Sequence, residues 1–167
     1  MLIMKKVSNE KKIADDFFNA ILDDDISKIK ELLTSGVDIN IKDKNGRTPL
    51  INSIIEKKIE VIKLLINNNS DINVQDNDGL SALHFAVRCK LLNICELLIK
   101  NNAFVDIQDN HGNTPLSDAV FNFEGKGDYI KLLSSSGADK YLKNKYGVTP
   151  YEIAEDNEDE RIIKFFK

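Results

Sequence analysis

Tryptophan is absent from this chain of 167 residues, and proline (3), cysteine (2) and histidine (2) are scarce. Two cysteines, Cys89 and Cys95, make no disulfide framework, so a reducing compartment is the simpler expectation. No run of about 18 apolar residues occurs, which argues against a helical membrane span. The opening Met1-Leu2-Ile3-Met4-Lys5-Lys6 has too short an apolar stretch for a secretory signal, and a cytoplasmic, intracellular protein is expected. There is no excess of positive charge: 23 Lys and Arg against 27 Asp and Glu leave a net charge of −4. That balance argues against non-specific nucleic-acid binding, which needs a basic surface. What is present is an apolar fraction of 42%, too high for a disordered chain. The length suits one domain or one short array of repeats, with core enough to fold without staples.

An internal repeat organises the chain. Asp43-Lys-Asn-Gly46-Arg-Thr48-Pro49-Leu50 returns as Asp76-Asn-Asp-Gly79-Leu-Ser81-Ala82-Leu83, as Asp109-Asn-His-Gly112-Asn-Thr114-Pro115-Leu116, and as Asn144-Lys-Tyr-Gly147-Val-Thr149-Pro150-Tyr151. The glycines are 33, 33 and 35 residues apart. Asp38-Ile39-Asn40 recurs in phase at Asp71-Ile72-Asn73 and more loosely at Phe104-Val105-Asp106 and Asp139-Lys140. An apolar cluster precedes each: Leu32-Leu33, Leu64-Leu65-Ile66, Leu97-Leu98-Ile99 and Leu132-Leu133. Three markers in one phase call for a repeat architecture.

Each marker has a physical task. The hydroxyls of Thr48, Ser81, Thr114 and Thr149 suit a helix N-cap, and the prolines that follow three of them cost nothing at the first helical position. Gly46, Gly79, Gly112 and Gly147 suit a tight turn with positive φ. Gly36, Asn69, Asn102 and Gly137 stand where a second helix would end, and these residue types tolerate a left-handed C-cap. In the second copy, Pro49 to about Glu56 reads as one helix and Glu60 to about Asn68 as another, with Val61, Leu64 and Leu65 on one face. Such helices are too short to be stable alone, so neighbouring pairs must bury each other. The extended Asp-Ile-Asn-Val-Gln stretch leads into the glycine turn as a hairpin-like finger.

The residues offer no catalytic constellation. His111 lies at a finger tip, with no nucleophile in a recognisable relation to it. Asp76-Asn77-Asp78-Gly79 looks like part of a calcium loop, but placing Gly79 sixth puts Val74 first and Phe85 twelfth, where oxygen ligands are needed. The acidic residues read better as turn formers. Cys89 and Cys95 lack a second pair for zinc, and Gly125-Lys126-Gly127 is too short to cradle a phosphate. No catalytic residue, metal site or cofactor is expected, and the chain reads as a non-enzyme.

The repeat resembles the ankyrin repeat, in which about 33 residues form a β-turn finger and two antiparallel helices around a Thr-Pro-Leu-His motif. The likeness covers about residues 13–167. It implies an all-α fold, a solenoid of stacked helix-turn-helix units forming a single domain over 1–167. The units are 13–42 as N-terminal cap, 43–75, 76–108, 109–143 with two extra residues, and 144–167 as C-terminal cap. In that last unit the polar stretch Glu155-Asp-Asn-Glu-Asp-Glu160 replaces the link between helices. It reads as a solvated face, with a recruitment site for a basic partner as the alternative. The resemblance also makes His84 a structural residue, bridging neighbouring fingers.

Function follows from the resemblance as binding of another protein, by an adaptor, scaffold or inhibitor that is monomeric alone and engages neither nucleic acid nor membrane. The implied contacts are the finger tips and the exposed face of each first helix. At the tips these are Lys44, Asn45 and Arg47; Asn77, Asp78 and Leu80; Asn110, His111 and Asn113; and Lys145, Tyr146 and Val148. On the helix face they are Ile55, Glu56, Arg88, Cys89, Phe121 and Asn122. Leu80, Ile55, Phe121 and Tyr146 would be unusual surface residues, and aromatic and Arg anchors dominate interfaces. The longer Phe121–Asp128 segment marks a loop that reads as helping to seat the partner through Phe121 and Phe123, or as a tolerated insertion with either ring folded onto the helices. Lys42, Lys44, Arg47, Lys57 and Lys58 make the second unit locally basic, which reads as a protein contact. The competing readings are a structural or regulatory subunit of a larger assembly, and an enzyme with an unfamiliar site.

Overall fold

The structure, a computed structural model, describes residues 2–157 and 159–166, with side chains from Lys12 onward. Helices α1 (Leu2–Leu22) and α2 (Ile26–Thr34) form the first pair; α3 (Pro49–Ile55) and α4 (Ile59–Asn67), α5 (Ala82–Arg88) and α6 (Leu92–Lys100), and α7 (Pro115–Phe121) and α8 (Asp128–Ser135) follow. Helix α9 (Pro150–Glu155) is paired with a 3-10 turn, Ile162–Phe166, in place of a full helix. The first helix starts at Leu2, well ahead of the residue-13 boundary expected for the N-terminal unit. The polar stretch after α9 is only partly a free acidic face. Asp159 is half-buried and grips Arg161 at 2.8 and 2.6 Å, while Glu158 lies outside the described residues.

The caps do what the residue types suggested. Thr48, Ser81, Thr114 and Thr149 each accept a bond from the backbone N–H three residues on, at 3.3, 3.5, 3.2 and 3.1 Å. In three of these the third residue, His84, Ser117 or Glu152, bonds back to the cap N–H, completing a capping box. The second helices end in left-handed residues as expected, with φ of 87° at Gly36, 62° at Asn69, 67° at Asn102 and 92° at Gly137. First helices end the same way at residues that gave no warning: Asp24, Lys57 and Lys90 have φ of 57°, 55° and 60°.

Each first helix packs on its own second helix and on the first helix of the next unit, α1 on α3, α3 on α5, α5 on α7 and α7 on α9. This places one continuous core along the row, with Phe17, Ile54, Leu65, Leu83, Leu98 and Leu116 essentially sealed from water. Among the described residues no helix is long and apolar enough to cross a membrane.

The fingers are hydrogen-bonded turns rather than strands; the one β-bridge among the described residues joins Gln75 and Ser81. Each turn is closed by a backbone bond across its base: Asp43 N–H to Arg47 O, Asp76 to Leu80, Asp109 to Asn113 and Asn144 to Val148, at 2.9 to 3.0 Å. The side chain at the base turns inward. Asp43, Asp76 and Asp109 each accept the backbone N–H groups two and four residues on, at 2.8 to 2.9 Å, and Asn144 does the same at 3.0 Å. Neighbouring fingers are tied tip to tip by Asn77 N–H to Asn45 O, Asn110 N–H to Asp78 O and Lys145 N–H to His111 O. At Gly79, with φ of 80°, the close approach of the Asn110 backbone leaves no room for a Cβ.

The loop between α7 and α8 runs from 122 to 127, against 56–58 and 89–91 in the preceding units. Its extra length receives the C-terminal 3-10 turn. Phe123 meets Phe165 with ring centroids 5.7 Å apart, the Lys131 ammonium sits 4.9 Å from the centre of that same ring, and a Cβ on Gly127 would fall inside it. The next residue of the turn, Phe166, meets Tyr151, and the Lys140 ammonium lies over both of these rings and that of Tyr141 while donating to the Phe166 carbonyl at 3.4 Å.

Candidate functional site

The expected contact residues lie on the first helices and on the fingers that precede them. His84, fully buried, is the joint between two units. One ring nitrogen lies 3.1 Å from the Ser81 N–H and 2.9 Å from the Ser81 hydroxyl, and the other lies 3.2 Å from the Asn113 carbonyl in the next finger. Burial lowers the His84 pKa below its ordinary 6.5, against the opposing pull of the Asp118 carboxylate. The ring is therefore neutral at pH 7, accepting from the Ser81 N–H and donating to Asn113.

Two arginines reach from one unit into the next. Arg47 lies 3.6 Å from the buried Asp76 carboxylate with its guanidinium 5.3 Å from the Phe85 ring centre, so it bridges two units rather than standing free at a tip. Arg88 makes a two-pronged bond to Asp118, at 2.7 and 2.9 Å, and reaches Asp109 at 3.9 Å. Half-burial works against the Arg88 charge, but the bond to Asp118 and the charges of Asp109 and Asp76 outweigh it and raise the guanidinium above its ordinary value. A planar guanidinium gripped on both prongs is orientationally locked.

Arg88 and Asp118 form one wall of an open groove of about 450 Å³, completed by Asn113, Ser117, Phe121, Asn122 and Ile153. Four expected contact residues, Arg88, Asn113, Phe121 and Asn122, thus share one depression. Phe121 stands over it with 78% of its surface open to water. Asp118, Ser117 and Ile153 were not anticipated. The usable signal was in register: Asp118 stands where the other copies have Asn52, Phe85 and Ile153, and Arg88 lies 30 residues before it.

Several other expected contacts are placed differently. Leu80 is 93% covered, because its side chain turns under the finger into the core, so it offers no surface. The Asn77 and Asn110 amides donate to Lys44 O at 3.2 Å and Asn77 O at 2.8 Å, which makes them rungs between fingers. Asn113 accepts from the Asn144 amide at 2.9 Å, and Ile55 packs half-buried against the core. Phe123 is folded onto Phe165, so the two phenylalanines do not act together: Phe121 faces solvent and Phe123 faces the C-terminal turn. Cys89 is half-buried, and burial raises its thiol pKa despite nearby Lys57; Cys95 is buried and pushed up to about 12. Lys44, Asn45, Glu56, Asp78, His111 and Tyr146 are exposed, and the last two rings stack with centroids 6.3 Å apart. Among the described residues no group of three or more His, Cys, Asp or Glu side chains could hold a metal ion.

Comparison with known proteins agrees with this geometry. The family model described as ankyrin repeats (3 copies) matches residues 17–109 and 70–144, most of the chain. No curated protein matches it.

Proposed function

We propose a function on one premise: the chain belongs to the ankyrin-repeat family, whose members are generally protein–protein interaction modules. On that premise the units from 13–42 to 144–167 act as one non-enzymatic binding domain that holds another protein against the concave side, as an adaptor or as an inhibitor that covers its partner's surface. The observation that carries this reading is the groove beneath Phe121. An exposed aromatic ring beside a locked guanidinium has the chemistry of an interface anchor, because neither group loses much conformational freedom on binding. An interface of standard size, about 1,600 Å² in total, needs a surface of several units, which the stacked row supplies.

The test is affinity capture with mass spectrometry, run in parallel with the wild-type chain and with Phe121→Ser. The expected result is a stoichiometric partner retained by the wild type and weakened at least about tenfold by the substitution. A partner held equally well by both would move the site elsewhere on the stack; failure to retain any partner would refute the binding role.

A further inference from the structure

The finger row sorts its charges in a way that the composition conceals. The base carboxylates of Asp43, Asp76 and Asp109 point inward onto their own turn backbones. At the turns themselves the exposed charge is mostly basic: Lys42 and Lys44 on the first and Lys143 and Lys145 on the fourth, with Asp78 the one exposed acid among residues 42–47, 75–80, 108–113 and 143–148. The exposed Asp38, Asp71 and Asp139 stand in the stretches that lead into the turns, and Glu152 lies near Lys143. Lys42 is braced by a bond to the Gln75 carbonyl at 3.1 Å, and the His111–Tyr146 stack lies next to Lys145. A chain with net charge −4 therefore carries a positive edge.

We infer that this edge takes an acidic, extended stretch of the partner polypeptide, laid along the finger tips with carboxylates at both ends. The inference rests on the binding reading above and adds the partner's chemistry. The match is one of charge and length. Three steps between neighbouring first helices, at about 9 Å each, separate the two lysine pairs. About eight extended residues cover that span. Lysine pairs of this kind act chiefly on encounter rate and specificity. Four lysines within an acidic molecule are few for a nucleic acid, whose binding rests on neutralising many phosphates.

The probe is a fluorescein-labelled peptide of about twelve residues, Glu-rich with one central Tyr, long enough to reach both lysine pairs. Its control has Gln for every Glu. Anisotropy is read with the wild type, with K42E/K44E/K143E/K145E, with K30E/K100E on second helices away from the fingers, and with Phe121→Ser. The acidic peptide is expected to bind with an affinity that falls as salt is raised. The four-lysine variant should bind about tenfold or more weakly, while the second-helix variant stays within about twofold. The Gln control should not bind. Equal binding of both peptides, an unaffected four-lysine variant, no binding at all, or tighter binding of a single-stranded oligothymidylate at the same salt would each overturn the inference. A partner lost by Phe121→Ser but indifferent to the four-lysine change would leave the groove reading standing and remove only this one.

Discussion

His84 binds two units through one ring, so its replacement acts on both. His84→Ala removes the bond back to the Ser81 cap and the bond to Asn113, and leaves a cavity in a fully buried site. A loss of about 2–4 kcal/mol is expected, measured by urea denaturation. The pH dependence has a definite sign. Burial holds the folded-state pKa of His84 below 6.5, so the unfolded chain takes up the proton first. The neutral ring's contribution is complete above about pH 6.5 and is lost as pH falls from there toward the lowered folded-state pKa. The wild type should lose stability as pH falls below about 6.5, before most carboxylates titrate. His84→Ala should lack that decline; an identical decline in both proteins would show that another group causes it. The role of His84 was legible in its place in the Ser81-Ala82-Leu83-His84 motif. The burial of Leu80 was not, because a finger residue beside a glycine gives no periodicity from which to read its direction.

At the scale of the element, the lengthened loop after α7 divides its two phenylalanines between two tasks. Phe121→Ser should leave thermal stability nearly unchanged, because that ring already stands in water. Phe123→Ser should cost about 1–3 kcal/mol, because the ring is half-buried against Phe165. Thermal denaturation of both variants checks the contrast, and equal losses would contradict the division. Gly127 offers a sharper test. Its φ of −86° is open to any residue, so alanine there brings no backbone strain, only a clash with the Phe165 ring. Gly127→Ala should therefore destabilise by about 1–3 kcal/mol in the wild type and by much less in a Phe165→Ala background. A double-mutant cycle without coupling would mean that the turn does not rest on the glycine. The two extra residues were visible in the 35-residue spacing, but their use was not: no local pattern tells that a ring about 40 residues later fills the loop.

Across the whole molecule, the repeat period, the caps and the helix pairs could be read from residues alone, since each rests on interactions within one unit. Apart from the His84 bridge, what escaped was what depends on the next unit: the Arg88–Asp118 clamp, the Asn77 and Asn110 rungs and the 3-10 turn that closes the row. The same nearest-neighbour logic predicts how the stack fails. In a row of units stability is the sum of each unit and its interfaces, so loss at one end should spread inward only as far as the next interface holds. The closing turn buries Ile162 and Phe166 against α8 and α9. Deleting residues 157–167 removes that cover from the last two units and leaves α5 and α6 with all their neighbours. Amide hydrogen exchange should then show lost protection across α7 to α9 and nearly native protection in α3 to α6, with light scattering rising as the uncovered apolar surface self-associates. Uniform loss of protection from α3 to α9 would instead make the row one all-or-none unit, and unchanged protection in α8 would show that the turn adds nothing to the interface beneath it.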